Sequence, residues 1–471
     1  MITNPDIYRE YDIRGIYSKD FSDNFAYNLA LAFSTFCIKS DPSKKSWVIS
    51  LGHDVRLSSP ALYKKMLEAF KESNITIYKL GLVTSPMSYF SSFIYPEVDG
   101  TIVITASHNP KNYNGFKISL KSKSVFGSDI KVLKTIVDSN KFLKSLQSES
   151  VCIDKQDDIY KKYINRYSKE FKNLKSIPLA LDCGNGAGSC IAKKMYEAVG
   201  LNPIMLFDNP DGTFPNHHPD PTIESNLKDL KNKVLGSKSF IGIALDGDAD
   251  RLGVLDENGD IIPVDKILSL FSKFILKKNI NAKIIGDVKC SNILYKNIKD
   301  YGGKPIMWKT GHSLIKTKIE KEGSPFGGEF SGHIFFADRN YGYDDALYAG
   351  LRLIEIMTET GLSITELLKD YPKTYATPEI RIEVPAEDQN ILMKNIIAHY
   401  KKSNKFITNF IDGVRIETKN SWGLIRASHT QSAIVVRCES TNPDDLNKMI
   451  DEIELQSKVA VREELKKLLE N

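Results

Sequence analysis

The chain has 471 residues, of which 41% are hydrophobic and 26% charged, and 64 basic against 59 acidic residues give a formal net charge of +5. At ~150 residues per domain, that length suggests about three or four domains with ordinary buried cores. The charge is mild and interspersed, which excludes a nucleic-acid or membrane footprint and leaves room for a locally basic cleft.

The start, MITNPDIYREYDIRG, is polar and has no apolar segment of the secretory kind. Within it, Ile7 to Gly15 packs two tyrosines among charges, which reads as a surface loop. Apolar positions Phe25, Leu29, Ala32, Phe33 and Phe36 recur at helical spacing over 22–38. A strand over Trp47–Gly52 feeds His53-Asp54-Val55-Arg56-Leu57-Ser58-Ser59-Pro60, where Ser58 or Ser59 suits an N-cap and Pro60 the first helical position. Helix 60–72, strand 75–79 and helix 86–94 follow, an alternation that argues for an α/β sheet with parallel strands.

The next stretch, GTIVITASHNPKNYNGFK (100–117), is a β-branched run that stops at Ala106-Ser107-His108-Asn109-Pro110. The residue before proline is pushed out of the helical region, so Ser107 and His108 stand on a loop at a strand end. Such loops commonly carry chemistry in α/β proteins. A tyrosine-bearing helix over 154–173 leads to strand 177–181 and the turn Asp182-Cys183-Gly184-Asn185-Gly186-Ala187-Gly188. That turn matches neither nucleotide-binding fingerprint and reads as a structural turn. His217 and His218 lie in a proline-punctuated loop, and adjacent residues do not easily face one ion, so we read the pair as structural.

Strand 240–245 ends in Asp246-Gly247-Asp248-Ala249-Asp250-Arg251. Three carboxylates at alternate positions would repel one another if unpaired, and they suit a hard divalent cation with open positions for phosphate oxygens. Glu257 stands at the twelfth position, as in a helix-flanked calcium loop, but Arg251 occupies the place of the required glycine and a strand precedes the loop. Strand 284–290 follows, then His312 on a turn before a helix with Lys316 one turn on. Gly327-Gly328-Glu329-Phe330-Ser331-Gly332-His333 is a glycine-flanked loop with a carboxylate, a hydroxyl and an imidazole at alternate positions; in a strand these would share one face and suit a hydroxylated ligand, and the plainer reading is a hydrogen-bonded β-turn. A long helical stretch spans 344–370, and the last unit begins near Tyr371-Pro372. In it, Arg426-Ala427-Ser428-His429-Thr430 precedes strand 432–438, and its guanidinium, hydroxyls and backbone N–H groups suit a phosphate dianion. The six cysteines show no CxxC spacing and read as free thiols in a reducing compartment. No run approaches the ~18 apolar residues of a membrane span.

In order and spacing, YREYDIRG (8–15), TASHNP (105–110) with GFK (115–117), DGDADR (246–251), DVKC (287–290), GEFSGH (328–333) and RASHT (426–430) resemble the α-D-phosphohexomutase family, most closely its bifunctional phosphomannomutase/phosphoglucomutase branch. The resemblance implies an α/β fold of four domains around a deep central cleft. Three are related α/β domains with mixed sheets (1–153, 154–257 and 258–371), and a smaller α+β domain (372–471) closes the chain. It further implies an isomerase that interconverts hexose 1-phosphate and hexose 6-phosphate through a phosphoserine and a hexose 1,6-bisphosphate, which also serves as activator. Ser107 would carry the phosphate, with His108, Lys117, Arg14 and Tyr11 around it. Asp246, Asp248 and Asp250 would bind one Mg²⁺ together with the phosphoserine. Glu329 and Ser331 would hold sugar hydroxyls, Arg426, Ser428, His429 and Thr430 the far phosphate, and Arg251, Lys289, His312 and His333 would line the cleft. His312 or Lys117 would serve as general base. A cytoplasmic monomer or weak dimer acting on small phosphosugars, with no nucleic-acid or membrane partner, follows by the same resemblance. His429 and His53 depart from the asparagine and arginine usual in the branch, which bears on sugar preference and pH dependence. The alternatives are a phosphoglucosamine mutase, which the form of the last loop disfavours, and a serine-dependent metal phosphatase.

Overall fold

The computed structural model describes residues 4–172, 174–428 and 433–470. Its strands form four sheets of seven, four, four and six strands in chain order. In the first, Gly100–Ile104, Val48–His53 and Thr76–Leu82 run parallel, and Tyr113–Leu120 returns antiparallel beside Gly100–Ile104. In the second, Ile241–Leu245, Leu179–Asp182 and Ile204–Leu206 run parallel, with Leu252–Leu255 antiparallel beside Ile241–Leu245. The third places Phe326–Gly328, Lys283–Asp287 and Lys304–Trp308 in the same arrangement, with Ile334–Phe336 returning beside Phe326–Gly328. Counted in chain order within each of these three sets of four, the third strand lies beside the first, the second lies on the first strand's other side, and the fourth forms a hairpin with the third. The fourth sheet is antiparallel throughout, and its central pair is Ser421–Ala427 with Ala433–Ser440.

This shared order positions the candidate site. Each hairpin connection leaves the C-terminal end of a parallel strand, the end where open α/β sheets present ligands. Those connections are the segments 105–112, 246–251 and 329–333, and in the fourth sheet the connection begins at Ser428. One core through Met87, Phe90, Tyr163, Tyr167, Ile243, Phe271, Phe326 and Tyr348 joins the first three sheets, and the first sheet has a further core of its own on Phe25, Leu29, Ile49, Ile104 and Phe116. The fourth has its own, built on Ile380, Ile416, Ile434, Val436 and Ile453. A small cluster of Val288, Trp422 and Leu424 joins it to the third.

The expected elements are present with shifted ends. Asp23–Ser40, Ser59–Glu72, Ser85–Ile94 and Gln156–Glu170 are helices. Ser58 makes no side-chain cap; its hydroxyl instead accepts from Asn114 Nδ2 at 2.8 Å. Two expectations are corrected. Residues 7–15 are not a surface loop: Ile7, Tyr11, Asp12 and Ile13 are buried, and Ile13–Ile16 is a strand paired with Tyr113–Leu120. The stretch 344–370 is two helices, Ala346–Thr360 and Ile364–Leu367, because Gly361 at φ 69° ends the first and Ser363 caps the second. Residues 329–333 take the hydrogen-bonded turn of the two readings: Glu329 N donates to His333 O at 2.9 Å and Gly332 N to Glu329 O at 3.1 Å. All six cysteines are free thiols. Among the described residues no helix is long and apolar enough to cross a membrane.

Candidate active site

The loop after strand Gly100–Ile104 is held by an arginine. Arg56 is fully buried and donates to the carbonyls of Ser107 (2.7 Å), Asn109 (2.6 Å), Pro110 (2.7 Å) and Tyr113 (3.0 Å). Its Nε is 3.1 Å from Asp54 Oδ2, which keeps the buried charge paired. The clamp offsets local strain: Ser107 has φ 49°, a left-handed conformation costing a non-glycine residue about 1 kcal/mol. Ser107 N donates to Thr105 Oγ1 at 2.9 Å, and Ser107 Oγ lies 3.1 Å from His108 Nδ1. Burial, then the charges of Arg251 and Arg14, push the His108 imidazole well below its ordinary pKa.

Ser107 Oγ also donates to Asp246 Oδ2 at 2.6 Å, across two domains. The approach requires Gly247: a Cβ there would stand 2.4 Å from the Ser107 carbonyl oxygen. Asp246, Asp248 and Asp250 are completely buried, and each offers a carboxylate oxygen within 4.8 Å of the others. Lys117 Nζ lies 2.6 Å from Asp248 Oδ2 and also pairs with Asp250. Burial opposes the Lys117 charge, but Asp248 and Asp250 outweigh it and raise the pKa far above the ordinary lysine value. Burial likewise opposes ionisation of Asp248, yet the charge and hydrogen bond of Lys117 bring it below the usual carboxylate range. Asp246 goes the other way, pushed well up by burial and by the charges of Asp250 and Asp248. Asp248 Oδ1 and Asp250 Oδ1 are buried with no hydrogen-bond partner among the described residues. Orphaned carboxylate oxygens beside a third carboxylate fit a hard divalent cation. A second trio, Asp250, His333 and Asp344, shares one residue with the first. Asp344 is already engaged by Lys316 at 3.1 Å and by His333 Nδ1 at 2.8 Å, so the three-Asp group is the better-suited metal site.

Facing this floor, His312 is the first residue of helix His312–Glu322. Its ring stacks on His333 at 5.4 Å between centroids. Burial, then Lys316, depress the His312 pKa well below the ordinary value, so the imidazole is neutral. Arg251 Nε donates to His333 Nε2 at 3.0 Å. Glu329 accepts from Gly311 N at 2.6 Å, and Lys289 pairs with Glu379 at 2.9 Å. One cleft is lined by Tyr11, Arg14, Ser107, His108, Lys117, Arg251, Lys289, His312, Glu329, Ser331, His333, Arg426 and Ser428. Its charged lining comprises seven cations (Arg9, Arg14, Lys117, Arg251, Lys289, Arg381 and Arg426) against three carboxylates (Asp12, Glu329 and Glu379), a balance suited to a ligand carrying phosphate at both ends.

The sequence matches the phosphoglucomutase/phosphomannomutase alpha/beta/alpha domains I, II and III over residues 6–144, 158–259 and 263–375, and the C-terminal domain over 379–456. The chain belongs to this family. A phosphoglucomutase of Neisseria meningitidis serogroup A is 38% identical over 460 residues, covering 97% of this chain and 96% of its own. A phosphomannomutase/phosphoglucomutase of Pseudomonas putida is 37% identical over 446 residues, covering 94% of each. A crystal structure of a phosphoglucomutase/phosphomannomutase family protein from Burkholderia thailandensis superposes with a TM-score of 0.89 at 33% identity, over 98% of this chain and 99% of its own.

For this phosphoglucomutase/phosphomannomutase family member, the structure brings together every site residue expected from sequence except two. His429 and Thr430 lie outside the described residues. Asp246, Asp248 and Asp250 sit beneath the cleft lining and reach it through Ser107 and Lys117. His217 is structural, as expected: its Nε2 meets Asp182 at 3.1 Å and its Nδ1 meets the His218 carbonyl at 2.9 Å. Sequence reasoning missed Arg56, Asp344, Asp412, Glu379 and Arg381, and named Lys316 only as one turn on from His312. Arg56, Asp344 and Asp412 are isolated charges whose burial is the signal that would have marked them; Glu379 is half-buried and Arg381 exposed, and only their place on the folded cleft marks those two.

Proposed function

We propose that the protein is a phosphomannomutase/phosphoglucomutase, an isomerase that moves phosphate reversibly between O1 and O6 of mannose and glucose through a phosphoserine at Ser107 and a hexose 1,6-bisphosphate. The observation that carries this reading is the Ser107 hydroxyl 2.6 Å from Asp246, beneath a cleft whose lining holds seven cations. Phosphoryl transfer depends mainly on positioning and charge stabilisation. Asp246, Asp248 and Asp250 would hold one Mg²⁺, which when bound draws negative charge toward itself at the transferring group.

Lys117 and Arg14 flank Ser107 as fixed positive charges. Lys117 is the poorer base of the two candidates, since two carboxylates hold it protonated. His312 is neutral and lines the cleft, so it is the group suited to take the proton of the attacking sugar hydroxyl. Glu329 and Ser331 would accept and donate to sugar hydroxyls, with Tyr11, Arg251, Lys289 and His333 around them. Arg426 and Ser428, with His429 and Thr430, would hold the non-reacting phosphate. The bisphosphate must turn in the cleft so that its other phosphate returns to Ser107, and cations at both ends suit either orientation. A coupled assay on glucose 1-phosphate and mannose 1-phosphate, with catalytic hexose 1,6-bisphosphate and Mg²⁺, tests the reading. Turnover of at least one sugar with phosphate conserved supports it, and net phosphate release in place of isomerisation contradicts it.

A further inference from the structure

The turn before helix His312–Glu322 is a meeting point of three domains. From the first, Tyr11 Oη donates to Thr310 O at 2.6 Å. From the fourth, Asp412 Oδ2 accepts Thr310 N at 3.0 Å. The next amide, Gly311 N, donates to Glu329 Oε1 at 2.6 Å, and His312 follows. Gly311 has φ 133°, and a Cβ there would lie 2.5 Å from the Tyr11 ring, so the turn has little freedom to shift.

Asp412 does more than cap this turn. The same oxygen, Oδ2, accepts Arg426 Nε at 3.1 Å. Both side chains are buried, at 8% and 5% exposure. One carboxylate oxygen therefore joins a cleft arginine of the last sheet to the backbone that carries Glu329's partner and His312. With Nε taken, Arg426 can meet a ligand only through its two Nη groups, which fixes the edge it turns toward the cleft. Asp412 itself stands before Gly413 in the turn between strands Ile407–Asn409 and Val414–Glu417. Gly413 has φ 78°, and a Cβ there would lie 2.4 Å from the Ile425 carbonyl, so the carboxylate is carried on a constrained hairpin.

We propose that Asp412 is a positioning residue: it aims Arg426 at the non-reacting phosphate and ties that contact to the Thr310–His312 turn. Seating the far phosphate and aligning Glu329 and His312 then become one event. The proposal rests on the reading of Arg426 as a phosphate holder, so the test separates the two.

Kinetics with α-D-glucose 1-phosphate are compared for Asp412→Ala, Asp412→Asn, Arg426→Ala and the Asp412→Ala/Arg426→Ala double variant, each confirmed folded by circular dichroism. Asp412→Ala is expected to raise KM about tenfold, the scale of a lost charged hydrogen bond. Asp412→Asn keeps an oxygen able to accept from both donors and is expected to recover most of that loss. Adding Asp412→Ala to Arg426→Ala is expected to raise KM by much less than Asp412→Ala does in the parent, because the aim of the arginine is already lost while the contact to Thr310 N remains to be removed. An unchanged KM in Asp412→Ala, or additive losses in the double variant, overturns the proposal while leaving Arg426 as a phosphate-holding residue. An unchanged KM in Arg426→Ala overturns the underlying reading instead. Should Asp412→Ala fail to fold, Asp412→Glu, which displaces the carboxylate by one methylene, replaces it in the same cycle with the same expected outcome.

Discussion

The hydroxyl of Ser107 and the carboxylate of Asp246 meet at 2.6 Å although 139 residues separate them in the chain. The contact places the proposed phosphate carrier against the proposed metal ligands. Burial and the charges of Asp250 and Asp248 raise the Asp246 pKa well above the ordinary carboxylate value, so the metal-free form holds a proton there more readily. A bound cation favours the ionised form and must displace that proton. Magnesium affinity is therefore expected to fall as pH is lowered, with proton release on binding. Calorimetry in two buffers of different ionisation enthalpy measures both. Removal of metal by EDTA should abolish turnover, and added Mg²⁺ should restore it.

Lys117 supplies the positive charge among the acidic residues when metal is absent. Replacing it by Met leaves Asp248 and Asp250 buried without their cation, a change that costs roughly 3 kcal/mol. The Lys117→Met variant should melt well below the parent, and Mg²⁺ should raise its melting temperature by more than it raises the parent's. Thermal melts with and without Mg²⁺ decide this. Equal shifts in the two proteins would show that Lys117 and the metal do not answer the same charges.

Arg56 reaches four backbone carbonyls of the Ser107 loop through one planar guanidinium. A lysine ammonium cannot span that set. Arg56→Lys is expected to destabilise the protein by roughly 3 kcal/mol, mostly by leaving buried carbonyls unpaired. It should also slow phosphorylation of Ser107 in protein that remains folded. Urea unfolding measures the first effect, and intact mass after incubation with hexose 1,6-bisphosphate measures the second.

His217 gives a pH signature separate from the cleft. Burial lowers its pKa, but the hydrogen bond and charge of Asp182 outweigh burial and raise it overall. A raised folded-state pKa stabilises fully below the unfolded value of about 6.5, and the contribution is lost as pH rises through the folded value. The destabilisation caused by His217→Gln should therefore be larger at pH 5.5 than at pH 8.5. Melting curves of both proteins at the two pH values check the sign.

Much of the fold can be read from local pattern. Short β-branched runs ending in Asn109-Pro110 or in Asp246-Gly247 mark strand ends and loops without tertiary information. The common strand order of the first three sheets cannot be read this way, because periodicity reports which face is buried and not which strand is the neighbour. Glycines decided two local readings. Alternation across Glu329, Ser331 and His333 left a strand face and a β-turn open, and Gly332 at φ 102° takes part in a reversal of the chain there. Helical spacing continues through Gly361, whose φ of 69° ends the helix. For the site, residues inside dense motifs were visible. Arg56 and Asp412 were not, since an isolated charge carries no mark of burial until the chain is folded.

The central claim is that Ser107 is a reusable phosphate carrier. The most direct measurement is intact and peptide mass spectrometry of the parent and Ser107→Ala after incubation with hexose 1,6-bisphosphate, paired with turnover of glucose 1-phosphate and mannose 1-phosphate. The parent should carry one phosphoryl group on Ser107 and isomerise at least one sugar. The variant should carry none and lose at least about a thousandfold in kcat/KM, the scale set by removing a covalent catalyst. Near-parent turnover by Ser107→Ala, or a phosphoryl group on another residue, would contradict the account.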